Sequence, residues 1–152
     1  MAMDHYSGMS HVELLPIPPT ESATDPILST ADLRQRWRAL MGPLGFGERL
    51  LRFVFVGPDR RFTTTLLDMP IPRLPDPDVL ANLMPALAGV LAEREPGTTV
   101  ACLITRPGRG PVTDIDRKWA MVVRAHAEHV DVPLEPIFRA NDESVLQVET
   151  AA

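Results

Sequence analysis

Lysine is nearly absent from this chain: of fifteen basic residues only Lys118 is a lysine, and the rest are arginine. We read that bias as genome composition, not as function. Cysteine is as scarce, with Cys102 alone, which excludes an intrachain disulfide. Cys102 stands in an apolar run and reads as a small core residue rather than a nucleophile. Aromatic residues make up 5% of the chain, so Leu, Val, Ile and Met must fill the interior. No basic residue precedes Arg34, whereas Asp4, Glu13, Glu21 and Asp25 do; of the formal charge of −5, the tail holds −4 and the body −1. An acidic balance of this kind argues against general nucleic-acid binding, which needs a basic face to neutralise phosphates. The N-terminus lacks a basic segment followed by an apolar one, so no signal peptide is expected. No apolar run approaches the ~20 residues of a membrane span. The expectation is a cytoplasmic protein with no membrane contact and no cofactor.

What is present suits one domain. The chain has 152 residues and is 45% hydrophobic, enough to bury a core. Residues 1–28 combine acids, Ser, Thr and clustered proline and read as a disordered tail. Within it Val12, Leu14, Leu15 and Ile17 are the exception, a short segment that could dock in polyproline II form, with a solvated tail as the leading expectation. A single α/β domain is expected over 30–150. Thr30 is placed to cap a helix running to Met41, with Leu33, Trp37 and Leu40/Met41 inward and Arg34 and Arg38 on a solvated face. Leu50–Val56 and residues 61–67 read as a hairpin closed by the Gly57-Pro58-Asp59-Arg60 turn. Asp76 caps a second helix with Pro77 at its first position; Pro85 predicts a kink or a later start. Residues 98–105 read as a strand covered on both faces. A third helix spans about 113–130, and strands at 134–138 and 145–148 flank the turn Asn141-Asp142-Glu143. The order is α-β-β-α-β-α-β-β.

The chemistry-bearing residues are few. Arg106 and Arg109 flank Gly108 and Gly110 just ahead of a helix N-terminus at Thr113, a setting suited to holding a phosphate or carboxylate. The loop lacks the Gly-Lys-Ser/Thr ending of a P-loop. Thr113 and Asp116 have capping-box spacing. His126 and His129 lie three apart on one helix and could share a metal, but no third ligand is near in sequence, and His126 lies on the apolar stripe. Ser29, Ser144 and the Thr63-Thr64-Thr65 run stand in no nucleophile motif.

The element order, with the loop 106–116, resembles the RadC branch of the JAB/MPN family over roughly residues 48–149. In that family the central strand ends in His-x-His-Pro, and Ser-x-x-Asp opens the next helix. Here Ile104-Thr105-Arg106-Pro107 and Thr113-Asp114-Ile115-Asp116 stand in those places. The resemblance implies a small mixed β-sheet with packed helices in the JAB/MPN (cytidine-deaminase-like) architecture. It also implies a lost zinc site: Ile104 and Arg106 replace both histidines, and the catalytic glutamate falls near Thr65 or Leu66. Of the metal ligands only Asp116 remains, a vestigial metal position that an Arg106–Asp116 ion pair would fill. One carboxylate does not make a site that needs about three protein ligands.

These observations lead to a non-catalytic RadC-like domain acting through a protein partner or self-association. Leu44, Phe46, Met69 and Ile71, in the Gly/Pro-rich connections 42–47 and 69–74, are the candidate interface. The alternatives are a small anion- or nucleotide-binding module at Arg106, Gly108, Arg109, Gly110 and Thr113, and a hydrolase with a rearranged site.

Overall fold

A computed structural model describes residues 17–148. The class is α/β. A five-stranded mixed sheet has the order β2-β1-β3-β4-β5, where β1 is Leu50–Val56, β2 Phe62–Pro70, β3 Thr99–Thr105, β4 Phe138–Ala140 and β5 Val145–Gln147. All pairings are antiparallel except β3 with β4. Helix α1 (Thr30–Met41) covers one face, and α2 (Pro77–Ala92) and α3 (Asp114–His129) cover the other.

The two-residue period of β1 and β3 builds this sandwich. Leu51, Phe53 and Phe55 with Val100, Cys102 and Ile104 face α2 and α3, where Leu80, Met84, Leu87 and Trp119 meet them. Val54, Val56, Ala101 and Leu103 face α1, where Leu33 and Trp37 pack. Trp37 meets Phe62 edge-on with ring centroids 5.0 Å apart. Cys102 lies in the first of these cores, fully buried. The parallel β3–α3–β4 crossover places the N-terminus of α3 beside the ends of both strands, where α/β sheets gather ligand-binding groups.

Local signals set the helices. The α1 cap is Ser29, not Thr30: its hydroxyl accepts from the Asp32 N–H at 3.0 Å. Asp76 caps α2 through the Asp78 N–H. That helix runs from Pro77 through Pro85 to Ala92, so it does not start late. Pro85 and Ala81 are both exposed, so water is at hand for the hydrogen bond that proline cannot make, while Leu80, Met84 and Leu87 hold the buried stripe together.

Four expectations need correction. The domain begins before residue 30: residues Thr20–Thr24 form a 3-10 helix, Ala23 and Ile27 are buried, and the Ile27 N–H donates to the Arg60 carbonyl at 2.7 Å. Val12, Leu14 and Leu15 lie outside the described residues, and Ile17 is exposed. The face holding Arg34 and Arg38 is not solvated. Arg38 is 3% exposed and donates to the Gly42 carbonyl, and Arg34 donates to the Val145 carbonyl of β5. Strand β2 continues to Pro70, which pairs with Leu50 at the sheet edge, where a residue lacking N–H is tolerated. Strand β4 starts at Phe138 instead of 134. Pro133 and Pro136 carry no N–H for a ladder, so only Leu134 bridges to Val100 before Phe138. Among the described residues no helix is long and apolar enough to cross a membrane.

Candidate functional site

Arg106 follows β3 directly, and its guanidinium grips Asp116 side-on. Nε donates to Oδ1 and Nη2 to Oδ2, both at 2.8 Å. Asp116 is 0% and Arg106 6% exposed. Local sequence holds the carboxylate in place. Thr113 caps α3 by accepting from the Asp116 N–H at 3.2 Å, and the Thr113 N–H donates back to Asp116 Oδ2 at 2.9 Å. The capping box and the ion pair therefore share one carboxylate. A planar fork on a carboxylate is the strongest geometry arginine has. Burial works to raise the Asp116 carboxyl, but the hydrogen bonds from Arg106 and Thr113 and the charges of Arg106 and Arg139 outweigh it, leaving it below the usual carboxylate range.

The glycine loop after Arg106 already holds anions, supplied by the chain itself. Gly108 N–H donates to Asp142 Oδ2 at 2.9 Å, and Gly110 N–H donates to Glu143 Oε2 at 2.8 Å. Both acids come from the β4–β5 turn. Arg109 approaches Glu143 at 3.4 Å, with 66% of its side chain exposed. Gly108 has φ 105, and a Cβ there would stand 3.3 Å from Arg106 Nη1. Conformation and space both call for glycine. The donors expected to receive an external anion at Gly108, Gly110 and Thr113 are thus engaged internally.

Arg139 also converges on Asp116, and Arg49 lies within reach of its charge. Arg139, in β4 between buried Phe138 and Ala140, is itself 0% exposed. Its Nη1 donates to the Gly110 carbonyl at 3.2 Å, and its Nε stands 4.0 Å from Asp116 Oδ2. Among the described residues its Nε and Nη2 have no hydrogen-bond partner. Arg49 precedes β1 and, by the strand alternation that turns Leu51 inward, falls on the same sheet face; its buried Nη1 is also without a hydrogen-bond partner among the described residues. Burial chiefly, with the Arg106 charge second, lowers both guanidinium groups below their ordinary range. The segment after β2 lies alongside, because Ile71 N–H donates to the Arg49 carbonyl and Trp119 Nε1 donates to the Arg73 carbonyl. Arg49 and Arg139 escaped the sequence reading. The available signal was an arginine inside the apolar run Ile137-Phe138-Arg139-Ala140.

The candidate interface residues do not form a surface patch. Ile71 is buried and Met69 half-buried in the core beneath α2 and α3, while Leu44 and Phe46 pack against the core beneath α1. They are split between opposite faces of the sheet, and none of the four is exposed. His126 is half-buried, with Nδ1 2.9 Å from the Val122 carbonyl. It and exposed His129 border a cleft of about 400 Å³ with Leu80, Met84, Pro85 and Val130, and no third ligand joins them. Burial pushes the Cys102 thiol far up, which removes it as a nucleophile. Of the two positions expected for a glutamate, Leu66 belongs to the core under α1, and Thr65, which alternates to the face of Leu67 and Met69, has no carboxylate to offer. Among the described residues no three His, Cys, Asp or Glu side chains stand together as metal ligands.

No protein-family model, no curated protein and no solved structure matches the chain. The likeness to the RadC branch rests on motif pattern and spacing alone.

Proposed function

We propose that this is a non-catalytic domain on a RadC-like JAB/MPN frame, which acts by recognising a protein partner or a second copy of itself. The observation that carries the reading is the bidentate Arg106–Asp116 pair, buried at the strand-to-helix connection where the resemblance expects a metal. A guanidinium is cationic throughout the accessible pH range and ligates no metal. With Ile104 and Arg106 in the histidine positions, the residues present do not fit zinc. The potential nucleophiles fare no better: the Ser29 hydroxyl is a helix cap, and Cys102 is sealed in the core.

The recognition surface is narrower than the sequence implied. Of the connections 42–47 and 69–74, only Leu74 presents a large apolar side chain to solvent, at 55% exposure. Phe46→Glu and Ile71→Glu therefore act on folding, and Leu74→Glu is the variant that reports association. We expect the purified full chain to hold no stoichiometric zinc and to cleave neither peptide nor isopeptide bonds. We expect it to self-associate in light scattering or to recover one specific partner, with Leu74→Glu weakening either. One tightly held zinc per chain, or hydrolysis, overturns the non-catalytic reading. A strict monomer at high concentration with no specific partner overturns the recognition reading.

A further inference from the structure

The two ends of the central strand treat charge differently, and the difference lies in the count of partners. Around Asp116 stand Arg49, Arg106 and Arg139, with Arg73 and Arg109 on the outer side. The carboxylates in the same region are Asp116, Asp142 and Glu143. Five guanidinium groups against three carboxylates leave a surplus of two positive charges, in a chain whose overall charge is −5.

The carboxylates are also committed. Asp116 is held by Arg106 and the Thr113 N–H. Asp142 bonds the N–H groups of Gly108 and Phe46. Glu143 bonds the Gly110 N–H and Arg109. What remains, among the described residues, is Arg139 Nε and Nη2 and Arg49 Nη1, buried and without hydrogen-bond acceptors, with Arg139 Nε 4.0 Å from the Asp116 carboxylate that Arg106 already holds. Desolvating several cations around one shared carboxylate is costly, and so is leaving their N–H groups unpaired. Three donors, two on Arg139 of β4 and one on Arg49 just ahead of β1, suit an acceptor with several oxygens and two negative charges. A carboxylate brings one charge and two oxygens, whereas a phosphate brings about two charges and at least three.

We propose that Arg49 and Arg139, backed by Arg106, form a binding site for a phosphate group, either the free ion or the terminal group of a phosphate monoester. The site lies inward of the 108–110 loop, whose own N–H groups are closed off by Asp142 and Glu143. Arg139 is fully buried and held on one side by Gly110, so the ligand enters only where half-buried Arg49 yields. This site goes beyond the recognition reading and does not depend on the RadC-like resemblance. A zinc-containing or strictly monomeric protein would leave it standing.

The test is calorimetric titration and thermal melting of the full chain with inorganic phosphate and with phenyl phosphate. Ionic strength is held constant with chloride. Saturable binding and a rise in melting temperature are expected, with sulfate acting like phosphate and acetate much more weakly. Tighter phenyl phosphate marks a monoester as the ligand; equal or tighter inorganic phosphate marks the free ion. Arg49→Gln should weaken phosphate about tenfold or more, the usual effect of losing a charge-assisted hydrogen bond. Arg139→Gln should weaken it at least as much, and Arg109→Gln should stay within about twofold, as an exposed rim charge does. If Arg139→Gln fails to fold, half-buried Arg49 decides alone. A melting temperature that follows ionic strength only overturns the site and leaves water on these donors. So does an Arg49→Gln variant that titrates like the parent.

Discussion

Strand β3 carries a bidentate arginine–carboxylate pair at each end. At its start, Arg60 Nη1 and Nη2 donate to Glu135 at 2.8 and 2.9 Å, and Thr99 Oγ1 donates to the same carboxylate at 2.7 Å. Past its end, Arg106 grips Asp116 with two bonds of 2.8 Å. The bond geometries are nearly the same, but the surroundings are not. Arg60 keeps 37% of its side chain in solvent and stands alone with Glu135 at 12%; Arg106 and Asp116 are at 7% and 0%. The first pair is balanced and partly wet. The second is dry and flanked by arginines that have no carboxylate of their own. Bond lengths cannot separate a structural clamp from a candidate site, but the local sum of charge and the access of water can.

That contrast sets an order of expected effects. The largest belongs to Asp116→Ala, which strands Arg106 and Arg139 as buried cations and removes half of the α3 capping box. A loss of about 3–5 kcal/mol in urea unfolding is expected. At the wet end, Glu135→Ala leaves Arg60 free to turn into water. Solvent screening holds the loss to about 1 kcal/mol. If the two variants lose equal stability, the distinction between the ends fails.

The smallest and most discriminating effect is in the acid limb of stability. Both carboxyls sit below their ordinary values in the folded protein. For Glu135 the Arg60 hydrogen bonds are the main cause, opposed by burial and aided by Thr99; for Asp116 the bonds and charges of the arginines overcome burial. A depressed folded pKa means that the unfolded chain takes up the proton first as pH falls. Each group's stabilisation is therefore complete above the ordinary carboxylate values of about 3.9 and 4.3 and is lost as pH drops through the folded value. Melts from neutral pH down to about 3 should steepen below those values. Asp116→Asn and Glu135→Gln should each flatten the curve. No flattening in Asp116→Asn would mean that its carboxyl does not feel the arginines.

The residues that were legible in the sequence are those whose partners are close along the chain. Asp76 and Asp78, or Thr113 and Asp116, meet because helix caps act over two or three residues, so α2 and α3 began where spacing put them. The β-rich apolar runs Leu50–Val56 and the one ending at Thr105 marked β1 and β3 as strands of the core. The Arg106–Asp116 pair was also within reach, ten residues apart across one loop. Where proline was involved, the local rule was overruled in one place and enforced in another. Pro85 sits on a wet helix face and is tolerated, whereas Pro133 and Pro136 delay β4.

The sequence by itself determined the three helices, the caps of α2 and α3, the core strands β1 and β3 and the absence of histidine from the 104–107 segment, because these depend on residue identity and on contacts a few positions apart. Only the tertiary structure decided what surrounds Asp116. Arg49, Arg106 and Arg139 arrive from the start of one strand, the end of a second and the middle of a third. In the sequence they are three among many arginines of an acidic chain. Coulomb energy depends on distance and on the water between charges, and neither is fixed until the strands pair. Pairing desolvates Arg139 fully while leaving Arg109 in solvent. The same packing sent Leu44 and Phe46 to one core and Met69 and Ile71 to the other, because an apolar side chain in a loop takes whichever face its neighbouring strand leaves open.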